Sequence, residues 1–358
     1  MSPSVLVAGY TTRHVAKSAA QQGYDVYAVD HFCDQDLLWC TKDVIAFDEL
    51  DELPFAIEEM LGRYDIDYVI TTSGAELLDV PNRMGTDPTV AARFMDKGKT
   101  QGFFESLGVP VPRRLSDGEY PAMMKTLSGA GGWRNAVVRN DEERACWEEF
   151  VEHEPFLMQE VISGIPASVS CVGTGSSAKA IVANEQILRG GESCAYAFSG
   201  SVTPCVHPMA KRMMDTAEKI VAASGCVGSV GVDFVLTETE AYAIEVNPRF
   251  QGTVETVEAA TGLSLFKLHM DACQGILPEI VPQPRQFCVR KILAAPEPLA
   301  LNADMRTLAG TITDIPHPGT MFEEGEVMFS VLGCGASRAE AFTSLDKHIT
   351  DAVQHIKT

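Results

Sequence analysis

The sequence predicts a mixed α/β and α+β chain in three parts: a doubly wound parallel unit, an α+β middle, and a small β-rich module at the C-terminal end. Three observations carry this. Apolar strand-like runs alternate with helical stripes up to about residue 90; strand, loop and helix signals then mix without that alternation; and past residue 283 short strands with turn signals lead to a terminal helix.

In the first part, "SVLVAGY" reads as a buried strand, "HVAKSAAQQG" as a helix closed by Gly23, "YDVYAVD" as a second strand and "DYVITTS" as another. Between them Leu53, Ile57, Met60, Leu61 and Tyr64 recur at helical spacing, the stripe of a helix that covers a parallel sheet. A dinucleotide site needs G-x-G-x-x-G after the first strand, but "AGYTTRHVA" offers Gly9 alone, which disfavours a nicotinamide cofactor. Thr11 to Arg13 could still hold a small anion at a helix start, the alternative being an ordinary capped turn. "AARFMDKGKTQGFFESLG" reads as helix and "VPVPRRL" resets the chain, so the parts are expected at 1–95, 96–280 and 281–358.

Composition narrows the function. There are 28 Lys and Arg against 49 Asp and Glu, a formal charge of −21, which repels phosphate backbones and anionic lipid; nucleic acid and membranes are not expected as partners. The ten cysteines include no C-x-x-C pair, and no His cluster has zinc-ligand spacing, so neither a metal finger nor a disulfide framework is indicated and reduced thiols are expected. No 18-residue apolar run occurs and "MSPSVLVAGY" lacks a basic leader, so the expected location is cytoplasmic.

The chemistry gathers in two stretches. In "AYAIEVNPRF" Glu245, Asn247 and Arg249 fall at alternate positions, which on a strand places them on one face opposite Tyr242, Ile244 and Val246. A half-solvated sheet face would look the same. The preceding "VGVDFVLTETE", however, folds back through a loop of Glu238 to Glu240 and puts Asp233 across from Glu245. Two carboxylates facing each other on a ladder are unfavourable unless a cation lies between them, and Asp233, Glu245 and Asn247 are the oxygen donors a Mg²⁺ ion takes. Because Mg²⁺ completes its shell with phosphates, a phosphate loop should exist elsewhere. "KTLSGAGG" supplies one, with Lys125 at a strand end and backbone N–H groups in the loop from Ser128 through Gly129 and Gly131 to Gly132. Its spacing is not that of a P-loop.

The ordered set "MDKGKT", "PAMMKTLSGAGG", "FLMQEVISG", "VGVDFVL" and "AIEVNPRFQG" resembles the ATP-grasp superfamily, especially the branch related to biotin carboxylase and carbamoyl phosphate synthetase, and is similar to a group of predicted archaeal carboligases. The resemblance spans roughly 1–275 and implies a pre-ATP-grasp domain, an ATP-grasp fold and a small closing module. It implies that Lys97 and Lys125 contact ATP phosphates with the Ser128 to Gly132 loop folded over them, that Gln159, Glu160 and Val161 form the adenine hinge, that Asp233, Glu245 and Asn247 hold two Mg²⁺ ions (Mn²⁺ as a substitute), and that Arg249 steadies the transferring phosphate or an acyl-phosphate intermediate. Lys99 is the neighbour expected to be solvated. Biotin carboxylase-like enzymes place a glutamate a few residues after the arginine to handle bicarbonate, whereas here Gly252 and Thr253 stand in that neighbourhood and Glu255 comes later.

The expected function is an ADP-forming carboxylate–amine or carboxylate–thiol ligase acting on small molecules, with a homodimer as one possible assembly. An ATP-dependent carboxylase using bicarbonate and a non-catalytic ATP-binding sensor are the alternatives. The segment 184–204 is read as a loop that either shapes the acceptor pocket, with Arg189, Tyr196 and Ser199 as candidates, or is ordinary surface. His317, between two prolines, is read as a turn residue.

Overall fold

The computed structural model describes residues 2–129, 131–191 and 194–357. The first apolar run forms β1 (Ser4–Ala8), followed by α1 (Arg13–Gln21), β2 (Asp25–Asp30), a single turn α2 (Gln35–Leu38), β3 (Asp43–Ala46), α3 (Leu53–Arg63) and β4 (Tyr68–Thr71). The four strands are parallel in the order β3-β2-β1-β4, as the alternation of buried runs and amphipathic helices requires. Helix α3 buries Leu53, Ala56, Ile57 and Met60 on one face of this sheet, with Leu61 at the margin and Tyr64 beyond the helix. The helix read across 91–108 is broken: α4 (Pro88–Ala91) passes through a 3₁₀ turn, and α5 (Lys97–Ser106) starts afresh at Asp96, whose carboxylate accepts the Lys99 N–H.

A three-stranded antiparallel sheet follows, ordered β6-β5-β7, from β5 (Ala122–Thr126), β6 (Ala136–Val138) and β7 (Phe156–Glu160). Helix α6 (Asp141–Phe150) covers it through Trp147. The chain then enters an eight-stranded sheet through β8 (Ile165–Thr174), β9 (Ala178–Leu188) and β10 (Phe198–Thr203), crosses α7 (Ala210–Ser224), and returns as β11 (Val227–Leu236) and β12 (Ala241–Asn247). Met213, Ala217, Ile220 and Val221 of α7 are buried against this sheet, and Gly225 ends the helix at φ +81°, which a side chain would strain. After α8 (Val254–Thr261) and α9 (Leu265–Cys273), β13 (Phe287–Ala294) joins the same sheet. The pair β14 (Leu299–Leu301) and β16 (Thr320–Phe322) stands apart, while β15 (Ile312–Thr313) and β17 (Val327–Gly335) complete the order β12-β11-β8-β9-β10-β13-β17-β15, and α10 (Arg338–Ile356) packs over the end. One apolar core joins Val5, Val7 and Ala16 to Val172, Val182, Phe250 and Phe266, so α1 and the parallel sheet are packed on the large sheet through α8 and α9.

Four readings of the sequence change here. Segment 184–204 is mostly sheet, the ends of β9 and β10, with only 189–197 left as a loop, of which 192 and 193 lie outside the described residues. Cys288 and Cys334, 46 residues apart with no motif spacing, face each other across β13 and β17 as a disulfide. Arg13 is no anion ligand. It is buried and donates to Asp314 (2.7 Å) and to both oxygens of Glu255 (2.8 and 2.6 Å), while the Thr12 N–H and hydroxyl go to Asp30. Finally, Tyr242 and Ile244 do not share the core face of β12 with Val246; Ala241 and Ala243 do, because of a bulge described below. His317 sits in a turn, its carbonyl accepting the Thr320 N–H and its Nε2 3.0 Å from the Cys33 carbonyl oxygen. Among the described residues, no helix is long and apolar enough to cross a membrane.

Buried His269 joins three elements. Its Nδ1 accepts the Ser229 N–H at 2.9 Å and its Nε2 lies 3.1 Å from the Met84 carbonyl oxygen, so both contacts are satisfied by a neutral ring carrying its proton on Nε2. Burial pulls its pKa down to about 4. With the folded pKa below the unfolded value near 6.5, the unfolded chain binds the extra proton first, so stability present above pH 6.5 is lost as pH falls towards 4, on the order of 3 kcal/mol from this ring. Urea titrations should show His269→Gln flattening the decline between pH 6.5 and 4.5; an unchanged slope would assign the acid sensitivity elsewhere.

Candidate functional site

The site forms where the β11–β12 hairpin meets the end of β5. The ladder pairs Asp233 directly with Glu245, but by a different turn from the expected one: Leu236 faces Ala241 across a four-residue connection, and a bulge at Ile244 restores the register by Asp233. The same bulge reverses the alternation of β12, which is why Tyr242 leaves the core face. Asp233 accepts from Asn247 Nδ2 (3.0 Å), Gln251 Nε2 (2.9 Å) and Gln186 Nε2 (3.1 Å). Burial, and next the Glu245 charge opposite, push its carboxyl up to about 7, against the hydrogen bonds from Asn247 and Gln251 and the charge of Arg249. The two carboxylates facing each other on the ladder are oxygen donors of the kind a hard divalent cation takes, while Asn247 turns its Nδ2 to Asp233 and its Oδ1 towards Arg249 (3.4 Å). Among the described residues, no group of three or more His, Cys, Asp or Glu gathers as a metal cluster.

Lys125 is buried at the end of β5, and burial pulls its ammonium down to about 8; the Glu245 charge opposes that shift and the Lys97 charge adds to it. Lys125 thus lies within electrostatic reach of both Glu245 and Lys97. Lys97 Nζ reaches the Gly129 carbonyl at 2.5 Å and shares a small cavity with Thr126, Gly129, Gly132 and Asn135. Lys99, 74% exposed, points away to Asp96 and a surface crevice with Thr89, Arg93 and Phe103, which separates the two lysines of "MDKGKT".

In the glycine-rich loop, Thr126 Oγ1 donates to the Ser128 carbonyl (2.7 Å), and Gly129, Gly131 and Gly132 adopt φ of +102°, +75° and +71°; Ala130 lies outside the described residues. Gly132 is required twice over, since a Cβ there would also stand 2.5 Å from the Tyr196 carbonyl oxygen. The loop is held from the sheet side by Phe198, whose N–H donates to the Gly131 carbonyl at 3.1 Å. Of the three candidates in segment 184–204, Tyr196 thus lies against the glycine-rich loop, Ser199 belongs to β10, and Arg189 reaches towards Gly325.

Arg249 has left the strand. It follows β12, and its Nε donates to Glu76 at 2.6 Å while Nη2 stays 3.4 Å from Asn247 Oδ1. At the junction of the small and large sheets, Gln159 is buried with Nε2 on Gln101 Oε1 (3.1 Å) and its own Oε1 without a partner. Glu160 is clipped to Arg113, accepting that residue's N–H (2.8 Å) and donating its own N–H to the Arg113 carbonyl (2.9 Å). Val161 is the first residue past β7.

Residues 94–253 match the family described as the ATP-grasp domain. This stretch is an ATP-grasp domain. Its relatives include an uncharacterized protein of Methanocaldococcus jannaschii, 24% identical, with 91% of this chain and 87% of that one covered. Another is the arginine-specific carbamoyl phosphate synthase large chain of Halalkalibacterium halodurans, 23% identical over 74% of this chain but only 28% of that much longer protein. Among solved structures, biotin carboxylase from Campylobacter jejuni superposes with a TM-score of 0.73 at 16% identity (95% and 89% covered), and an L-amino acid ligase from Bacillus licheniformis with 0.75 at 14% (98% and 97%). These establish the fold as ATP-grasp with a mixed α/β architecture.

Three residues around Asp233 and Arg249 escape sequence reasoning. Gln186 and Glu76 carry no spacing signal. Gln251 has one: a Cβ on Gly231, inside β11, would fall 1.8 Å from Gln251 Cδ, so this glycine is the gap through which the amide reaches Asp233. Thr253 is buried against Ser170 (3.3 Å), and Glu255 turns away into the Arg13 ion pair.

Proposed function

We propose that this chain is an ADP-forming ligase that activates a small carboxylic acid as its acyl phosphate and passes the acyl group to an amine. The observation that carries the reading is the cluster of Lys97, Lys125, Glu245, Asp233, Asn247 and Arg249, with Glu255 held elsewhere. ATP would lie between the two sheets, with its adenine at Gln159 to Val161, where the Gln159 Oε1 can accept from the exocyclic amine, and its phosphates under the glycine-rich loop. Asp233, Glu245 and Asn247 would hold Mg²⁺, whose charge neutralises the phosphates. Lys125 and Lys97 place point charges on the phosphate oxygens, and Arg249, fixed by Glu76, steadies the group in transfer. The acid's oxygen bonds to the γ-phosphorus as the bond to ADP breaks; the amine then bonds to the acyl carbon, and phosphate and a proton leave. A thiol acceptor would follow the same path. Under this reading the chain divides near residues 95 and 280, Mn²⁺ substitutes for Mg²⁺, and the protein works in the cytoplasm.

The test scans carboxylic acids for release of ADP from MgATP and adds hydroxylamine as a trapping nucleophile. The expected result is acid-dependent ADP together with a hydroxamate. AMP and pyrophosphate would exclude the acyl-phosphate route, and bicarbonate-dependent ADP release with no organic acid would put the carboxylase reading first. MgATP should also raise the Tm while NAD does not, because only a ligand of the native state stabilises by mass action.

A further inference from the structure

The chain between β4 and α4, residues 72–87, is wound around the side chain of Arg83. Its Nε donates to the Thr86 carbonyl (2.7 Å), its Nη1 to the Leu78 carbonyl (2.7 Å) and its Nη2 to the Glu76 carbonyl (3.0 Å). A guanidinium is a flat, rigid fork, so carbonyls held by all of its nitrogens keep fixed places relative to one another. The two ends of this fork lead in different directions. Thr86 is tied to the large sheet at the start of β11, where its hydroxyl donates to the Val227 carbonyl and accepts the Val227 N–H, both at 3.1 Å. Glu76, at the other end, accepts from Arg249 Nε at 2.6 Å, and both of these side chains are largely buried.

Arg83 therefore spans from β11, the strand that carries Asp233, to the carboxylate that grips Arg249. The grip has a direction. Arg249 Nη1 donates to the Phe250 carbonyl at 2.9 Å, and with the Glu76 bond this sets the plane of the guanidinium and leaves Nη2 on the side of Asn247, 3.4 Å from its Oδ1. A displaced Glu76 would turn that edge away from the polar row of β12. A contact that did no more than close the loop would stabilise the fold and leave Arg249 as it is.

From this fork we infer that Arg83 is a positioning residue for phosphoryl transfer: acting through the Glu76 carboxylate, it sets the orientation of Arg249 against β11 and makes the parallel unit part of the reaction centre. This deepens the ligase reading and rests on it for the phosphate that Arg249 meets. The test follows exchange of the Arg249 Nε–H with solvent by ¹⁵N NMR of the full chain, the resonance being assigned by its loss in Arg249→Lys. Arg83→Met should speed that exchange roughly tenfold or more, as should Glu76→Ala. The double variant should exchange no faster than Glu76→Ala alone, because residues acting along one path are not additive. Arg83→Lys keeps charge and stem without the fork, so it should behave as Arg83→Met and takes its place if that variant does not fold. Arg83→Met should also cut the preference for the Mg²⁺ complex of a β,γ-imido analogue of ATP over MgADP about tenfold, with MgADP affinity within about twofold of the wild type. Unchanged Arg249 exchange, additive effects in the double variant, or equal losses for both nucleotides would overturn the assignment. The exchange measurement needs no nucleotide, acid or turnover, so its outcome and that of the acid scan are read separately.

Discussion

Glu245→Gln is expected to lower acid-dependent ADP release on the order of a hundredfold while leaving MgATP binding within a few-fold of the wild type. Glutamine keeps the size of the side chain and its place opposite Asp233, so the ladder and the fold survive. It removes the charge that balances a divalent ion, and that charge matters most when the γ-phosphate moves. Lys125→Ala should split the other way. A charge-assisted contact with phosphate is worth about 1.5–3 kcal/mol, so nucleotide affinity should fall roughly 10- to 100-fold. Steady-state kinetics with varied Mg²⁺ and ATP separates the two. If Glu245→Gln turned over normally at limiting Mg²⁺, the polar row of β12 would be a solvated sheet face and nothing more.

The parts of this site that were legible in the sequence are those whose geometry is local. A strand with carboxylate and amide two residues apart, preceded by a second strand and the polar turn "TETE", fixes Asp233 opposite Glu245 to within one residue of turn length. The bulge at Ile244 that corrects the difference has no marker, because nothing in "AYAIEVN" distinguishes a slipped residue from a paired one. The terminal helix and α7 were legible because Ser337 and Gly225 mark an end of each and an apolar stripe fills them. Partners brought in from far along the chain were not. Glu76 reaches Arg249 from 173 residues away, and Cys288 finds Cys334 only because β13 and β17 pair in that register. The turn at Thr11 to Arg13 looked like an anion site because a buried arginine's carboxylates cannot be read from its neighbours.

That arginine carries the largest expected effect on stability. Arg13→Met should destabilise the chain by about 3–5 kcal/mol at pH 7.5, the usual consequence of removing one partner from a buried ionic group. Its guanidinium ties α1 to Glu255 of α8 and to Asp314 beside β15, with Asp36 3.5 Å away; without it, largely buried Arg290, bonded to Asp314 at 2.6 Å, and half-exposed Lys17, 3.5 Å from Glu255, would remain beside these carboxylates. The site is already over-supplied with negative charge: burial, then Asp314, Asp36 and Asp30, push the Asp34 carboxyl up to about 8. Glu255 shows the opposite balance, drawn down to about 2 by Arg13 and Arg290 in spite of burial. A carboxyl whose folded pKa lies below its unfolded value stabilises the protein above the unfolded pKa, near 4.5, and loses that contribution as pH falls towards 2. Without Arg13 this depression shrinks to what Arg290 sustains, so the gap between variant and wild type should be widest at neutral pH and narrow below about 4.5, which urea titrations at pH 7.5 and 4 would reveal. A gap that stayed constant with pH would assign the loss to packing of the methylene stem. No loss of stability, combined with weaker binding of inorganic phosphate, would return the turn after β1 to its anion-binding alternative and remove the weld between the parallel sheet and the ATP-grasp domain.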